Sequence, residues 1–469
     1  VSSIRARSPA KMIGFGSILA GLTAYYLIKE FWTKKAAFLS AILYLYSPYH
    51  ALDIYVRGAV DEYWAMGFLP LVFLGLFKIY RNERLNGVII GTIGLAGVIL
   101  SHNLTALMLI PFLVLFFGFM VWKSNNRRYF ILNTFYLILL SLLLSAFYWF
   151  PAILEIKFTN VSSQIGGAAD FHKHFIDLDQ IWDFPWGFGG SAGRQSGISY
   201  KIGKFNIILS FMALILFLLD LRKHKKYLSS VLIGIFGFLV AVFLTNQYSA
   251  AVWNTISIMS YIQYPWRFLI FASLFSSFFA GFAIVFISEK LKEKNVLIIV
   301  IVLVFAIMFF QVKYFKPQQY NYFSDKYYTN LGHLVWDASS ISNEYLPPKF
   351  PVPKNENEIP QTRVKSNPEI KINELIDKTS RVKFTSNATI FSTITLNKVN
   401  FPGWEVKVDK YPVSLAPSPL LTFTVGAGKH DIEANFKNTP VRSLANLISL
   451  FGLIIVGAIL AKIKYEKNS

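Results

Sequence analysis

Long apolar runs separated by short polar links recur along this chain from residue 12 onward. They fall at about 12–29, 33–48, 63–80, 86–101, 104–122, 129–150, 204–221, 228–245, 266–287, 295–312 and 442–462. A helix crossing a bilayer needs about 20 predominantly apolar residues, so the pattern predicts a polytopic α-helical membrane protein of about 11 spans.

The links alternate in character. One set carries Lys29/Lys34/Lys35, Arg81/Arg84, Lys123/Arg127/Arg128, Arg222/Lys223/Lys225/Lys226, Lys290/Lys292/Lys294 and, after the last run, Lys462/Lys464/Lys467. All are short and basic, which places them in the cytoplasm by the positive-inside rule. The other set would be extracytoplasmic: residues 48–62, the link Ser101–Asn103, the long loop 152–203, residues 246–265 and the segment 313–440. Arg5, Arg7 and Lys11 fall on the wrong side of this scheme. Together with a start at Val1, they lead us to expect that a further N-terminal part precedes the sequence.

These readings divide the chain into a transmembrane bundle with outer loops at 1–312, an extracytoplasmic stalk at 313–380, a small β domain at 381–440, and a final helix with a basic cytoplasmic tail at 441–469. The stalk is Pro-rich and polar. FTSNATIFSTITL, WEVKVDKYPV, LLTFTV and HDIEANF alternate as antiparallel strands do. Gly87, Gly91, Gly94 and Gly97 suit close helix packing.

Composition agrees with the pattern. Of 469 residues, 54% are hydrophobic and only 15% charged, too few charges to cover a soluble protein of this size. Behind the net charge of +20 stand basic residues in short links between apolar runs, which read as topology signals, so no nucleic-acid partner is expected. The absence of Cys excludes disulfides, thiol catalysis and Cys-ligated metal.

The candidate chemistry lies in the outward links. SPYHALDIYVRGAVDEYW (47–64) crowds an Arg and three carboxylates between two apolar runs. If residues 53–62 are helical, Asp53, Arg57 and Asp61 share a face and Glu62 adjoins it. Spacing alone supports two readings: a surface ion-pair ladder worth a few tenths of a kcal/mol, or a carboxylate site beside a phosphate-binding Arg, whose planar fork donates paired hydrogen bonds. His102 and Asn103 form a second outward polar point, with a helix cap as the plainer explanation. In QYPWRF (263–268), Trp266 is an ordinary interfacial anchor, while Arg267 is a basic residue on the outer face, against the charge rule, and so a second candidate phosphate ligand. Asp170, His172, His174, Asp177, Asp179 and Asp183 in the long loop match no specific metal spacing. FIDLDQIWDF reads more simply as an amphipathic helix on the bilayer, and the Gly-rich GFGGSAGR is a weak ligand-binding signal. Span interiors hold almost no ionisable residues, unlike a proton-coupled transporter.

YLYSPYHALDIYVRGAVDEYWAMGFLPLVFL resembles the signature of a prokaryotic membrane family called 6-pyruvoyl-tetrahydropterin synthase related. LSHNLTAL, IQYPWRFL, NEYLPP, FPGWEVKVDK and VGAGKHDIEANF extend the resemblance to nearly the whole chain. That family looks similar to YfhO-like proteins and GT-C glycosyltransferases. The resemblance implies a GT-C-like bundle that moves a sugar from a polyprenyl-phosphate carrier on the extracytoplasmic side. Arg57 and Glu62 match the family's Arg and Glu, His102 and Asn103 its His-Asn pair, and Trp266 and Arg267 its Pro-Trp-Arg. The catalytic Asp of the first outer loop would lie upstream of Val1.

The expected function is therefore an integral membrane glycosyltransferase in the plasma membrane of a bacterium or archaeon. Glu62 and Asp61 are the catalytic carboxylates. Arg57, His102, Asn103, Arg267 and Trp266 are the substrate and phosphate ligands. A lipid-linked sugar is the donor and a glycan, lipid or protein the acceptor. No cofactor is specified; a divalent cation, Mg or Mn, is an open option with no assigned ligands. The alternatives are a transporter or flippase of lipid-linked saccharides, and a non-catalytic scaffold whose β domain binds glycan.

Overall fold

A computed structural model of the chain describes residues 2–187, 198–317, 324–330, 332, 334, 336, 343–348, 350–360 and 362–468. The helices are α1 (Ser2–Ile28), α2 (Lys34–Leu45), α3 (Pro48–Leu52), α4 (Val60–Tyr80), α5 (Arg84–Ser101), α6 (Asn103–Lys123), α7 (Arg127–Leu144), α8 (Ala146–Leu154), α9 (Leu178–Trp182), α10 (Lys204–Leu219), α11 (Leu228–Thr245), α12 (Ala250–Thr255), α13 (Leu269–Lys290), α14 (Glu293–Gln311), α15 (Asp325–Thr329) and α16 (Pro440–Asn468). Among the described residues, nine helices are long and apolar enough to cross a membrane. The runs at 33–48 and 204–221 form α2, of 12 residues, and α10, of 16. Both are shorter than an independent span requires; Pro48 stops the first by starting α3. The run at 129–150 breaks after α7, where Ser145 leaves helical geometry.

The chain divides into two compact units. The first comprises residues 1–145, 165–320 and 451–469, the second 146–164 and 321–450.

In the first unit α13 is the central post. It is apolar on every side, and its candidate span is 89% buried, as expected of a helix surrounded by others. The outermost helices show the reverse. On α14, Phe305 and Phe309 are 68% and 76% exposed, a surface suited to lipid rather than water. Glycines let α4 and α5 touch: a Cβ on Gly75 would lie 2.4 Å from the Gly91 backbone. The predicted close packing of the fourth run is therefore backbone against backbone.

In the second unit the strands are β1 (Val364–Asn367), β2 (Lys371–Lys378), β3 (Arg381–Ala388), β4 (Ser392–Val399), β5 (Trp404–Val408), β6 (Tyr411–Val413), β7 (Leu420–Val425) and β8 (Gly428–Phe436). Strand pairing thus begins at Val364, inside the stretch read as stalk. Two antiparallel sheets, ordered β1-β4-β7 and β2-β3-β8-β5-β6, enclose Phe384, Ile394, Val406, Phe423 and Ile432. Phe384 pairs with Ile432 and Ile394 with Phe423. Pro412 on the edge strand β6 and a bulge in β2 between Asn373 and Ile376 blunt both edges of the larger sheet. Glu155 ties the start of α16 to this unit, with its carboxylate 2.7 Å from Arg442 Nη2 and 2.6 Å from the Thr439 hydroxyl.

Candidate functional site

Gly58 decides the local shape of the motif at 47–64. Residues Asp53–Arg57 form one wide helical turn, which Gly58 ends at φ 67°, and α4 begins afresh at Val60. The single ladder expected over 53–62 therefore does not form. Arg57 keeps Asp53 as its i−4 partner, and the break swings the next two acids apart. Glu62 turns inward and Asp61 outward.

Glu62 and Asp53 have no exposed side-chain surface, and Arg57 is 10% exposed. This is no surface ladder. Arg57 Nη2 lies 2.8 Å from Glu62 Oε2, and Nη1 donates to Asp53 Oδ1. The Tyr49 hydroxyl donates to Glu62 Oε1 at 2.8 Å. The guanidinium lies 4.7 Å above the ring of Trp266, itself flanked by Tyr200 and Tyr264, so cation–π attraction supports it where water is excluded. Burial pushes the Asp53 carboxyl well up from its ordinary range, and Glu62 adds to the rise against the pull of Arg57. These groups form a locked floor, in which every member is engaged by another.

Three further residues border the floor, of which Asp61 is open to solvent while His102 and Arg267 are nearly as buried as Arg57. Asp61 is 59% exposed; its Oδ1 accepts the Glu62 backbone N–H at 2.9 Å, in the first turn of α4 where an anion is favoured. His102 is the N-cap of α6. Its Nδ1 accepts the Thr105 N–H and lies 2.7 Å from the Thr105 hydroxyl. That pattern assigns the proton of the neutral ring to Nε2, which faces Asp61 Oδ2 at 3.8 Å. Burial lowers the His102 pKa, with Glu62 opposing, which favours this neutral form as an N–H donor. Arg267 opens α13. Its Nη1 donates to the Ile262 carbonyl at 2.9 Å, and its Nε stops 3.6 Å from Glu62 Oε2. The N-terminal ends of α4 and α6, with the turn leading into α13, converge here, adding positive dipole ends to the two arginines.

The fold thus brings together Arg57, Asp61, Glu62, His102, Trp266 and Arg267. Asn103 is left out: it is exposed beside His102 and hydrogen-bonds no member of the cluster. Sequence reasoning did not single out Tyr49 or Thr105 for the site, nor the turn at Ile262–Tyr264. Tyr49 was legible in principle as a polar ring inside the charged motif. No sequence signal marks the turn. The acids and histidines of the long loop do not gather: His172 pairs with Asp170 and Asn254, His174 with the Ala168 carbonyl, and Asp183 with Lys201 and Lys204. Among the described residues no three metal-ligating side chains come together. FIDLDQIWDF holds only the five-residue helix α9. Most of GFGGSAGR lies outside the described residues.

Uncharged polar pairs lie inside the bundle: Asn206, in the first turn of α10, donates to Ser277 at 2.8 Å, and Ser47 to Ser273 at 2.9 Å. They face inward between α2, α10 and α13, where such pairs join helices.

The model of the 6-pyruvoyl-tetrahydropterin synthase related domain, a membrane protein family, matches residues 10–316. An uncharacterized protein of Lactococcus lactis subsp. cremoris (strain MG1363) is 26% identical over 208 residues, 43% of this chain. The match covers 32% of that relative, so the chain spans about a third of its length. No solved structure matches.

Proposed function

The chain belongs to the 6-pyruvoyl-tetrahydropterin synthase related family of membrane proteins, and from that premise we propose an integral membrane glycosyltransferase of GT-C type, using a polyprenyl-phosphate sugar. The observation that carries this reading is the convergence of Arg57, Arg267, Glu62, Asp61 and His102 at the helix ends opposite the basic links. By the positive-inside rule that end is extracytoplasmic, as are the β domain and its loops, with the C-terminus in the cytoplasm of a bacterial or archaeal cell. A lipid carrier keeps its chain in the bilayer and its phosphate at this depth.

Each group has a task. Arg267 and the Nε2–H of His102 face the phosphate and stabilise the negative charge that develops as it leaves. Asp61, the accessible carboxylate, takes the proton of the acceptor hydroxyl as its oxygen bonds to the anomeric carbon. The bond from that carbon to the phosphate oxygen breaks, its electron pair leaves with the phosphate, and the configuration inverts. Glu62, Tyr49, Asp53 and Trp266 hold Arg57 and fix the floor. The acceptor is a glycan, lipid or protein.

The test offers radiolabelled polyprenyl-phosphate sugars to the purified protein in lipid. Transfer that disappears in Asp61→Asn and Arg57→Ala supports the reading. Absence of transfer, with cellular function intact in both variants, removes it. A liposome scrambling assay separates this reading from a flippase of lipid-linked saccharides.

A further inference from the structure

The residue before Tyr264-Pro265-Trp266-Arg267 has an unusual backbone. Gln263 sits at φ 65°, ψ −46°. The Tyr264 N–H donates to the Ile262 carbonyl at 2.7 Å, closing a γ-turn of the rare positive-φ kind. Such a turn is strained for any residue with a Cβ, and it persists only where the surroundings impose it.

The turn delivers the Ile262 carbonyl to Arg267. That oxygen, already bound by the Tyr264 N–H, also accepts from Arg267 Nη1 at 2.9 Å. The Tyr264 ring covers the guanidinium at 5.0 Å and is itself held 4.6 Å from the His174 ring. One corner and one face of the guanidinium are thereby pinned. Its side-on pair of donors, Nε and Nη2, is not consumed. Nε is buried, lacks a hydrogen-bond partner among the described residues, and lies 3.6 Å from Glu62 Oε2. An attracting carboxylate less than an ångström beyond hydrogen-bonding distance would capture that fork if the guanidinium were free to move.

We infer that the strained turn at Gln263 keeps the side-on fork of Arg267 from closing a hydrogen bond with Glu62, so that the fork is left to receive a tetrahedral phosphate oxyanion. The inference rests on reading the cluster as a phosphate site and deepens it. Arg57, gripped on both ends, is the floor; Arg267 is the ligand, and Gln263 is its positioning residue. The turn prevents the site from neutralising itself.

The experiment measures equilibrium binding of a radiolabelled short polyprenyl phosphate to the full chain in nanodiscs. Competition by inorganic phosphate and by the uncharged polyprenol separates headgroup from chain. Arg267→Ala weakens binding about a hundredfold and Arg267→Lys, which folds with its charge retained but lacks the fork, at least tenfold. Gln263→Gly adopts the same positive φ without a Cβ, so the turn persists and it binds as the wild type does. Gln263→Val, whose branched side chain disfavours positive φ, relaxes the turn, so its thermal midpoint holds while affinity falls about tenfold. If Gln263→Val binds as tightly as the wild type while Arg267→Ala does not, the turn is a structural detail and the positioning inference is overturned, with the phosphate site intact. If both arginine variants bind normally, the phosphate site itself is lost, and with it the proposed function.

Discussion

The two ends of the helical bundle use the same residue types in opposite ways. At the basic end, Lys78 sits between Glu30 and Glu83, and Arg81 meets Glu30 at 3.2 Å with half its side chain exposed. Lys223 and His224 share Glu289. At the other end, Asp53 and Glu62 are sealed from solvent, and the arginines beside them nearly so. Exposed pairs contribute roughly 0–1 kcal/mol each. Sealing charges costs several kcal/mol per ion and often returns no net stability. Charge handled cheaply at one end and placed where it is expensive at the other marks the second end as the candidate site. Perturbed, buried ionisable clusters are where function concentrates.

Several substitutions break or sharpen that contrast. Asp61→Asn has the largest expected effect on the proposed transfer, a loss of about 10²–10⁴-fold as the proton acceptor disappears. Its stability stays within about 0.5 kcal/mol of wild type, because the side chain is mostly exposed. Initial-rate and thermal-melt measurements on one preparation check both halves, and a variant that loses neither would remove Asp61 from the mechanism.

Glu62→Gln leaves two buried arginines short of their shared counter-ion. Destabilisation of roughly 3–5 kcal/mol is expected, read from a denaturant midpoint in mixed micelles. Wild-type stability in this variant would mean the floor is not electrostatically locked.

His50 sharpens the comparison through pH. It is fully buried between the rings of Tyr44 and Tyr63, and burial lowers its pKa to about 3. Between pH about 6.5 and about 3 the unfolded chain binds a proton here that the folded chain does not. Stability is therefore complete above that window and falls as the pH drops through it, by up to about 1.4 kcal/mol per unit. His50→Phe should flatten that limb of the stability–pH curve; an unchanged slope would assign the acid sensitivity to other groups.

The smallest effect belongs to the basic end. Lys78→Ala should cost no more than about 1 kcal/mol and leave transfer untouched. A loss comparable to that of Glu62→Gln would erase the difference between the ends.

Much of this architecture was readable along the chain. Apolar runs of bilayer length, basic links and alternating strands are local patterns, because a helix or strand in lipid or water must satisfy its own backbone and choose its own faces. Residues of the cluster were legible too, since charge between two apolar runs stands out. Their roles were not. Gly58, silent in the one-dimensional pattern, broke the expected 53–62 helix and sent Glu62 inward and Asp61 outward. Sequence order alone determined that this is a membrane bundle with a β domain, and that one charged cluster, 53–62, falls between apolar runs away from the basic links. Only the tertiary structure decided which arginine is bound by carboxylates on both ends and which meets Glu62 only at 3.6 Å, and which carboxylate is sealed. Those outcomes depend on distances between segments some two hundred residues apart, such as the 3.6 Å from Arg267 to Glu62, and no local periodicity encodes them.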